Sequence, residues 1–313
     1  MRLVRSAHSA GIVETGCVIT IGNFDAVHRG HQKILSRLKQ KGEELGLPVV
    51  VMTFDPHPEE YFVGANSATR LTDTGTRYFA LRETGVDMMV SLRFNKALAE
   101  TTAEDFVLRQ LVAELGARFV LVGDDFRFGK DRAGDFGLLQ KLGKENGFTV
   151  EDTATVRSDD ERISSSRIRG LLEQGDLSGA QKLLGRPYNL VGRVIHGQKL
   201  GRQWGFPTLN LAIHHKPAVT GVFSVRVSGF NDDKPRFGVA NLGKRPTVGG
   251  LQTLLEVHLF EFDQSVYGKR ICVEFLDKIR GEKKFDSFDD LKNQIMKDVE
   301  IAKEITALIG ERS

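Results

Sequence analysis

The chain has 313 residues, which is long enough for two hydrophobic cores. Apolar residues make up 40% and charged residues 27%, as is typical of a soluble globular protein. The 44 basic and 41 acidic residues leave a formal charge of +3, which by itself indicates neither a nucleic-acid-binding nor a membrane-surface protein. Cys17 and Cys272 lie far apart, and the sequence contains neither a signal-peptide pattern nor an apolar run of membrane-spanning length. We therefore expect a cytoplasmic location.

Apolar runs alternate with helical patterns up to about residue 185. The candidate strands are Val18–Ile21, Val49–Phe54, Met88–Leu92 and Phe119–Val122. The helical patterns fall near 31–45, 76–84, 103–115 and 135–146. This alternation predicts a parallel, doubly wound sheet with helices on both faces. Such sheets bind ligands outside the carboxyl ends of their strands, so the residues after each strand are candidate site residues.

The segment Gly22–His31 follows the first predicted strand and precedes the first helical pattern. It places His28 and His31 one helical turn apart, where a helix N-terminus presents unpaired N–H groups. Such a position suits an anionic ligand, above all a phosphate. An ordinary strand-to-helix turn with two solvated histidines explains this motif about equally well.

Two more loops follow predicted strands of the same sheet. Thr53–Pro58 contains two prolines, an acidic residue and His57, and Gly123–Gly129 alternates aromatic with charged residues around Asp125. Each loop alone could be a turn. Three such loops at one end of a sheet favour a binding site.

The segment Arg162–Gly170 precedes another helical pattern. Its serines could be helix N-caps, or Ser164 and Ser165 could join Arg169 in binding a polyphosphate.

A Gly-x-Phe-Asp-x-x-His-x-Gly-His loop paired with Ile-Ser-Ser-x-x-x-Arg resembles the nucleotidylyltransferase superfamily. With Thr-Phe-x-Pro-His-Pro and Asp-Phe-x-Phe-Gly, it resembles the FMN adenylyltransferase module of bacterial bifunctional FAD synthetases. The resemblance implies a Rossmann-like domain over residues 1–186, in which His28 and His31 contact the ATP phosphates. It also implies that Ser164, Ser165 and Arg169 hold the β- and γ-phosphates. The remaining residues implied to bind nucleotide or flavin are Gly22, Asn23, Phe24, Asp25, His57 and Asp125.

Two residues depart from this family pattern. Ser166 replaces a threonine and keeps the hydroxyl, whereas Ala26 replaces a glycine. If that position requires a positive φ, alanine costs roughly 1 kcal/mol there.

In the second half of the chain, short candidate strands replace the alternation of strands and helices. A helical pattern over Asp176–Gly185 is followed by Pro187, which indicates a boundary and a second domain over 187–313. The candidate strands are Leu190–Ile195, Gly221–Val227, Phe237–Asn241, Thr253–Phe262 and Arg270–Phe275, and a long helix is predicted over Phe288–Ile309. Short strands with glycine-rich turns predict a small antiparallel β-barrel with a terminal helix.

The segment Gly197–Asn210 carries glycines and basic residues that could surround phosphates, although a flexible surface hairpin is the alternative. Thr208 and Asn210 lie two apart on an extended segment, so their oxygens could serve one Mg²⁺. The run Gly238–Lys244 nearly matches a phosphate-binding loop, but Arg245 replaces the required Ser or Thr and no helix pattern follows. We therefore reject that match.

Strict alternation over Leu255–Phe260 puts Glu256 and His258 on one face of a strand. Inside a barrel, a carboxylate would indicate a general base, whereas outside it would be a solvated charge.

The patterns Gly-Arg-x-x-Gly-Phe-Pro-Thr-x-Asn, Asn-x-Gly-x-x-Pro-Thr and Leu-Glu-x-His, with the segment Arg280–Phe285, resemble riboflavin kinase. The resemblance implies Mg²⁺·ATP held through Thr208 and Asn210, with Glu256 deprotonating the riboflavin 5′-hydroxyl. The further binding residues that it implies are Gly197, Lys199, Gly201, Arg202, Phe206, Pro207 and Asn241.

The favoured interpretation is one enzyme with two sites, which uses ATP to make FMN from riboflavin and FAD from FMN. Its partners would be these small molecules, with no nucleic acid and no membrane. A second interpretation leaves only the kinase half active because of Ala26. A third, a nucleotide- or RNA-binding module, is disfavoured by the near-zero net charge.

Overall fold

The computed structural model describes residues 1–64, 67–153, 157–158, 161–197, 205–213, 215–232, 234–247 and 250–310. The chain divides into two compact units. The first contains Met1–Ala68 and Arg77–Ser164, and the second contains Thr69–Thr76 and Ser165–Ser313. The division at 186/187 expected from the sequence stays a prediction.

The first unit contains a six-stranded parallel sheet with the order β1-β4-β3-β2-β5-β6. Its strands are β1 (Arg2–Val4), β2 (Cys17–Ile21), β3 (Val49–Asp55), β4 (Met88–Arg93), β5 (Ala117–Gly123) and β6 (Thr149–Thr153). The four strands predicted from apolar runs are confirmed. The two edge strands were not predicted, because β1 is only three residues long and β6 is rich in polar residues.

Helices pack on both faces of this sheet, as predicted. They are α1 (Arg29–Leu45), α2 (Pro58–Val63), α3 (Thr74–Arg82), α4 (Lys96–Ala99), α5 (Ala103–Phe106) and α6 (Phe136–Asn146). The helical pattern over 103–115 continues beyond α5 as a π-helix, Val107–Glu114. Leu35 of α1 and Leu81 of α3 join one buried cluster, while Phe106 of α5 and Leu139 of α6 join the other. The sheet is therefore doubly wound.

The strand order places the chain's crossover between β2 and β5, which are neighbours in the sheet although α1, β3 and β4 separate them in sequence. At such a switch point the loops after the two strands lead to opposite faces of the sheet and leave a crevice between them. The loops concerned are those after Ile21 and after Gly123, two of the three predicted to form a site.

The second unit contains a closed barrel with the strand order β10-β13-β12-β11-β14-β9, in which every pairing is antiparallel. Its strands are β9 (Asn189–Ile195), β10 (Leu209–Ile213), β11 (Gly221–Ser228), β12 (Arg236–Thr247), β13 (Gly250–Leu259) and β14 (Arg270–Arg280). The helices are α7 (Ser165–Gln174), α8 (Leu177–Leu184) and α9 (Phe288–Gly310), and a short hairpin of the first unit supplies β7 (Arg157–Ser158) and β8 (Glu161–Arg162). The predicted antiparallel barrel and terminal helix are confirmed.

The terminal helix covers part of the outer surface of the barrel. Val222 and Val239 from β11 and β12 pack against Val299 and Ala302 of α9. The segment that nearly matched a phosphate-binding loop belongs to β12 and pairs with β13, which confirms its rejection. Among the described residues, no helix is long and apolar enough to cross a membrane.

Candidate active sites

The first helix begins at His28. His28 is the N-cap of α1, and its Nδ1 accepts a hydrogen bond of 3.3 Å from the backbone N–H of His31. A neutral imidazole that accepts at Nδ1 carries its proton on Nε2. The imidazole of His31 stacks on that of His28, with 3.6 Å between the ring centroids and 14° between the planes. The predicted pairing of the two histidines at a helix N-terminus is therefore confirmed.

The loop before His28 has an unusual backbone. Phe24, Ala26 and Val27 have φ values of 47°, 71° and 45°, in the left-handed region that favours glycine. Their side chains are buried, and the carbonyl of Val27 accepts a hydrogen bond of 2.9 Å from Nε2 of Gln32. Backbone strain of this kind persists only where the surroundings hold it in place. The positive φ considered for Ala26 from the sequence is thus confirmed.

Neighbouring residues fit closely around the two histidine rings. The ring of Phe24 lies 4.8 Å from that of His31, between centroids. A Cβ at Gly30 would approach the ring of His28 to 3.1 Å and the carbonyl of Ile163 to 3.6 Å, while one at Gly22 would approach the ring of Phe24 to 3.3 Å. These glycines leave room for the rings, and Gly30 brings the residue before Ser164 close to the histidine loop.

His57, at the carboxyl end of β3, is buried. Nη1 of Arg77 lies 2.7 Å from Nε2 of His57 and donates a second hydrogen bond, also 2.7 Å, to the carbonyl of Asn23. The backbone N–H of His57 donates to Glu60, 3.1 Å away, at the start of α2. The second loop is thus tied to the first through a buried arginine.

Asp125, in the loop after β5, forms an ion pair with Arg162 at 2.9 Å. Both side chains are exposed. The pair brings this loop to β8, two residues before Ser164.

An aromatic cavity of about 650 Å³ opens at the same edge of the sheet. Its rings are Phe54 at the end of β3 and, from the segments that follow β3, β4 and β5, Tyr61, Phe62, Phe94, Phe106, Phe126 and Phe128. The rings of Phe126 and Phe128 are stacked, with centroids 5.4 Å apart. Four basic residues, Lys96, Arg127, Lys130 and Arg132, and two acidic ones, Glu100 and Asp131, also line the cavity. An apolar slot whose lining carries more basic than acidic side chains suits a planar aromatic ligand that carries an anionic group.

Ser164 directly precedes α7, which begins at Ser165. Nη1 of Arg169, one turn further, lies 3.5 Å from the hydroxyl of Ser166. Ser165 and Arg169 belong to the second unit and the histidines to the first. The expectation that they share one phosphate site stays a prediction.

A row of polar side chains crosses three neighbouring barrel strands. Glu256 of β13 is paired in register with Asn210 of β10 on one side and Asn241 of β12 on the other. Residues opposite each other in register share one face, and the buried Leu255 and Val257 occupy the other. Glu256 therefore faces away from the barrel interior, but it is half-buried rather than fully solvated. The row is a carboxylate flanked by two amides.

His258 lies on the same face as Glu256 and holds the preceding loop. Its Nδ1 is 3.0 Å from the carbonyl oxygen of Pro207, and its ring meets that of Phe206 edge-on, with centroids 5.4 Å apart. Burial lowers the pKa of His258 below its ordinary value, and Lys303 lowers it further, while the Pro207 carbonyl partly opposes this. The neutral imidazole, with its proton on Nδ1, donates to Pro207 and fixes the start of β10.

A cavity of about 270 Å³ lies beside this row and is lined by Gly197, Pro207, Thr208, Asn210 and Asp263, among others. Nδ2 of Asn210 donates to the carbonyl of Thr208 at 3.3 Å, which turns its Oδ1 away from that carbonyl. A Cβ at Gly197 would collide with the Asn210 side chain. The hydroxyl, amide and carboxylate oxygens of this lining are the donors that Mg²⁺ prefers. The predicted residues Lys199, Gly201 and Arg202 lie outside the described residues.

Sequence reasoning missed Arg77, Arg162 and most of the aromatic cavity. Arg77 sits within a helix, away from the loops that were inspected, and only its burial marks it. The cavity is built from three separate loops, so no single motif reveals it. Phe54 at the end of β3, and Phe126 and Phe128 after β5, belong to motifs of the sequence, and their shared position at the carboxyl ends of parallel strands was the available signal.

The doubly wound sheet, with histidines at a helix N-terminus on its switch-point edge, defines a nucleotide-binding α/β domain, joined here to a β-barrel. The family model described as FAD synthetase matches residues 12–167, and the one described as riboflavin kinase matches residues 184–306.

Two curated relatives match almost end to end. The bifunctional riboflavin kinase/FMN adenylyltransferase of Haemophilus influenzae is 49% identical over 309 residues, covering 97% of this chain and 98% of the relative. The protein of the same name from Escherichia coli K12 is 44% identical over 310 residues, covering 98% and 99%. The chain therefore belongs to the family of bifunctional riboflavin kinases/FMN adenylyltransferases.

A solved structure is also similar over the whole length. The crystal structure titled as a macrolide-efflux protein from Streptococcus pneumoniae has a TM-score of 0.75 and 29% identity, covering 97% of this chain and 99% of that one. Both halves of the present fold thus occur together in a second protein.

We predict that Ala26→Gly changes the free energy of unfolding of the first unit by less than about 1 kcal/mol. Relief of the left-handed strain gains roughly 1 kcal/mol, and loss of a buried methyl group costs about 0.8 kcal/mol. Ala26→Val, which adds a β-branch at φ 71°, should lose about 2 kcal/mol or more. Urea unfolding followed by hydrogen exchange of the β2 and β5 amides measures both. Equal stability of the Gly and Val variants would contradict the strain assignment.

We predict that the barrel loses stability as pH falls below the ordinary value of 6.5 for histidine. Because the folded state lowers the pKa of His258, the unfolded chain takes up the proton first, and acid favours unfolding. His258→Gln should reduce this slope between pH about 6.5 and the lowered pKa. The urea midpoint of the barrel amides at several pH values measures it.

His8→Gln, at an exposed position of the first unit, is the matched control and should keep the wild-type slope of the barrel. An unchanged slope in His258→Gln would show that other groups cause the pH dependence.

Proposed function

We propose that the chain carries out two ATP-dependent reactions of flavin cofactor synthesis. The barrel transfers the γ-phosphoryl group of ATP to riboflavin and makes FMN. The parallel-sheet unit transfers the adenylyl group of a second ATP to FMN, makes FAD and releases pyrophosphate. The observation that carries this proposal is the full-length similarity to relatives named for both activities, together with a separate candidate site in each unit.

In the adenylyl transfer, a phosphate oxygen of FMN attacks the α-phosphorus of ATP. The bond from that phosphorus to the oxygen bridging to the β-phosphate breaks, and pyrophosphate leaves. The phosphate oxygens accept hydrogen bonds from Nε2–H of His28, from the ring of His31 and from the N–H groups at the start of α1. These bonds stabilise the negative charge that moves onto the leaving pyrophosphate. No covalent step on the protein is needed, because positioning and charge compensation supply the catalysis.

Other predicted residues take supporting roles in this reaction. Ser164, Ser165 and Arg169 bind the departing β- and γ-phosphates, and Gly22, Asn23, Phe24 and Asp25 form the wall of the nucleotide site. The isoalloxazine ring of FMN occupies the aromatic cavity, between the rings that follow β3 and β5. Asp125, paired with Arg162, keeps the loop that carries Phe126 and Phe128 at the mouth of that cavity.

In the kinase reaction, the 5′-oxygen of riboflavin attacks the γ-phosphorus of ATP, and ADP leaves. Glu256 takes the proton of the 5′-hydroxyl during this attack. Asn241 and Asn210 flank Glu256 in register and orient the groups around it. Phe206 and Pro207, held by His258, form the wall of the ATP site with Gly197. Lys199, Gly201 and Arg202, which lie outside the described residues, are proposed to bind ATP from the family pattern alone. The oxygens of Thr208 and Asn210 would hold Mg²⁺, which neutralises charge on the ATP phosphates when it is bound.

We infer a cytoplasmic location, because Cys17 and Cys272 are both free thiols and burial raises the pKa of each to about 12. Unpaired, unreactive thiols suit a reducing compartment. The proposed partners are small molecules only.

We predict that His28→Asn separates the two roles of His28. Asparagine is a good N-cap, so stability should stay near wild type, whereas His28→Ala should lose about 1 kcal/mol. Both variants lack the Nε2 donor, and we expect each to slow FAD formation from FMN by about 100-fold or more. Chromatography of the flavins, with urea unfolding alongside, measures both. Wild-type FAD formation by His28→Asn would exclude His28 as a phosphate donor.

We predict that Glu256→Gln slows FMN formation from riboflavin by about 100-fold or more while leaving FAD formation from FMN unchanged. The matched control is Glu261→Gln, just beyond the end of β13 and exposed. Supplying riboflavin and FMN in separate reactions tests each half. FMN formation without FAD formation in the wild type would favour the interpretation with only the kinase half active, and formation of neither flavin would reject the proposed function.

A further inference from the structure

Arg77 is the largest fully buried side chain in the described part of the chain, with no exposed surface. It lies on α3, away from the motifs of the family pattern. Burying a guanidinium group is costly unless its N–H groups are hydrogen-bonded. One nitrogen of Arg77, Nη1, donates hydrogen bonds to two different loops.

The first acceptor is the carbonyl oxygen of Asn23, and the second is Nε2 of His57, each 2.7 Å from Nη1. Arginine has only donors, so the bond to His57 requires that Nε2 carries no proton. The two acceptors therefore lie no more than twice 2.7 Å apart. One nitrogen fixes the distance between the loop after β2 and the loop after β3.

Each loop leads directly to a different part of the candidate site. Asn23 begins the strained segment that ends at the stacked rings of His28 and His31. His57 immediately precedes α2, whose Tyr61 and Phe62 line the aromatic cavity. The first loop handles phosphates in the proposed function, and the second helps to hold the flavin ring.

We propose that Arg77 is a positioning residue that sets the spacing between the phosphate-binding loop and the aromatic cavity. The inference rests on the proposed adenylyl transfer. Arg77 acts through Asn23 and His57, and it orients the FMN phosphate toward the α-phosphorus of ATP without touching either substrate. In-line attack tolerates little displacement, and a misplacement of about 1 Å can cost about 100-fold in rate.

The first experiment compares Arg77→Met with a matched control on the same helix, Arg82→Met. Arg82 is exposed and pairs with its neighbour Glu83. For Arg77→Met we expect kcat for FAD formation from FMN to fall by about tenfold or more, with KM for FMN changed less than about threefold. The kinase reaction of the same molecules should stay at the wild-type rate, and Arg82→Met should match wild type in both reactions.

Arg77→Lys keeps a buried cation that donates hydrogen bonds, so it should recover part of the lost kcat. His57→Phe removes the other end of the bond and should lower kcat like Arg77→Met. The double variant should be no worse than Arg77→Met alone, because Arg77→Met already removes the bond to His57 together with the bond to Asn23. If Arg77→Met does not fold, Arg77→Lys and His57→Phe still test the inference.

A wild-type protein that makes FMN but no FAD would reject the proposed adenylyl transfer itself. If the wild type makes FAD, unchanged kcat in both Arg77→Met and His57→Phe would overturn the inference. Additive losses of kcat in the double variant would also overturn the inference. The same holds if Arg77→Lys recovers no kcat and the kinase reaction is lost in parallel, since either result would indicate a general structural role.

Discussion

The candidate adenylyltransferase site depends on one hydrogen bond, from the backbone N–H of His31 to Nδ1 of His28. This bond begins α1 at a defined residue and leaves the proton of His28 on Nε2. The same geometry stacks the two imidazoles at the N-terminus of α1, with 3.6 Å between the ring centroids. In the proposed adenylyl transfer, this capping interaction leaves Nε2–H of His28 able to donate to a phosphate oxygen.

Strain and burial keep this arrangement in place. Three residues other than glycine adopt left-handed backbone conformations just before His28, and their side chains are buried where solvent cannot replace their contacts. In the barrel, the side chains of the candidate site are held in position by strand register instead of backbone strain. There, strand register places Glu256 between Asn210 and Asn241, and the bond from His258 to Pro207 fixes the loop that leads into β10. A rigid scaffold therefore carries each site.

The sequence predicted the fold class, the central strands and the position of His28 and His31 at a helix N-terminus, because apolar periodicity and helix capping are local properties. It also identified Ala26 as a residue that replaces a glycine of the family pattern, and the structure confirms its positive φ. Arg77 and the aromatic cavity were not predictable in this way, because they depend on which loops meet after folding. The face of Glu256 was left open for the same reason: alternation defines two faces, but only the burial of Leu255 and Val257 in the folded barrel shows which one is inside.

The central claim is that two chemically different transfers of ATP phosphorus occur on one chain. The most direct measurement supplies riboflavin with ATP that carries radioactive phosphorus at either the γ or the α position, and then separates the flavins. The γ label should enter FMN and remain in FAD, whereas the α label should enter FAD alone. Absence of the α label from flavin, or of the γ label from FMN, would contradict the account.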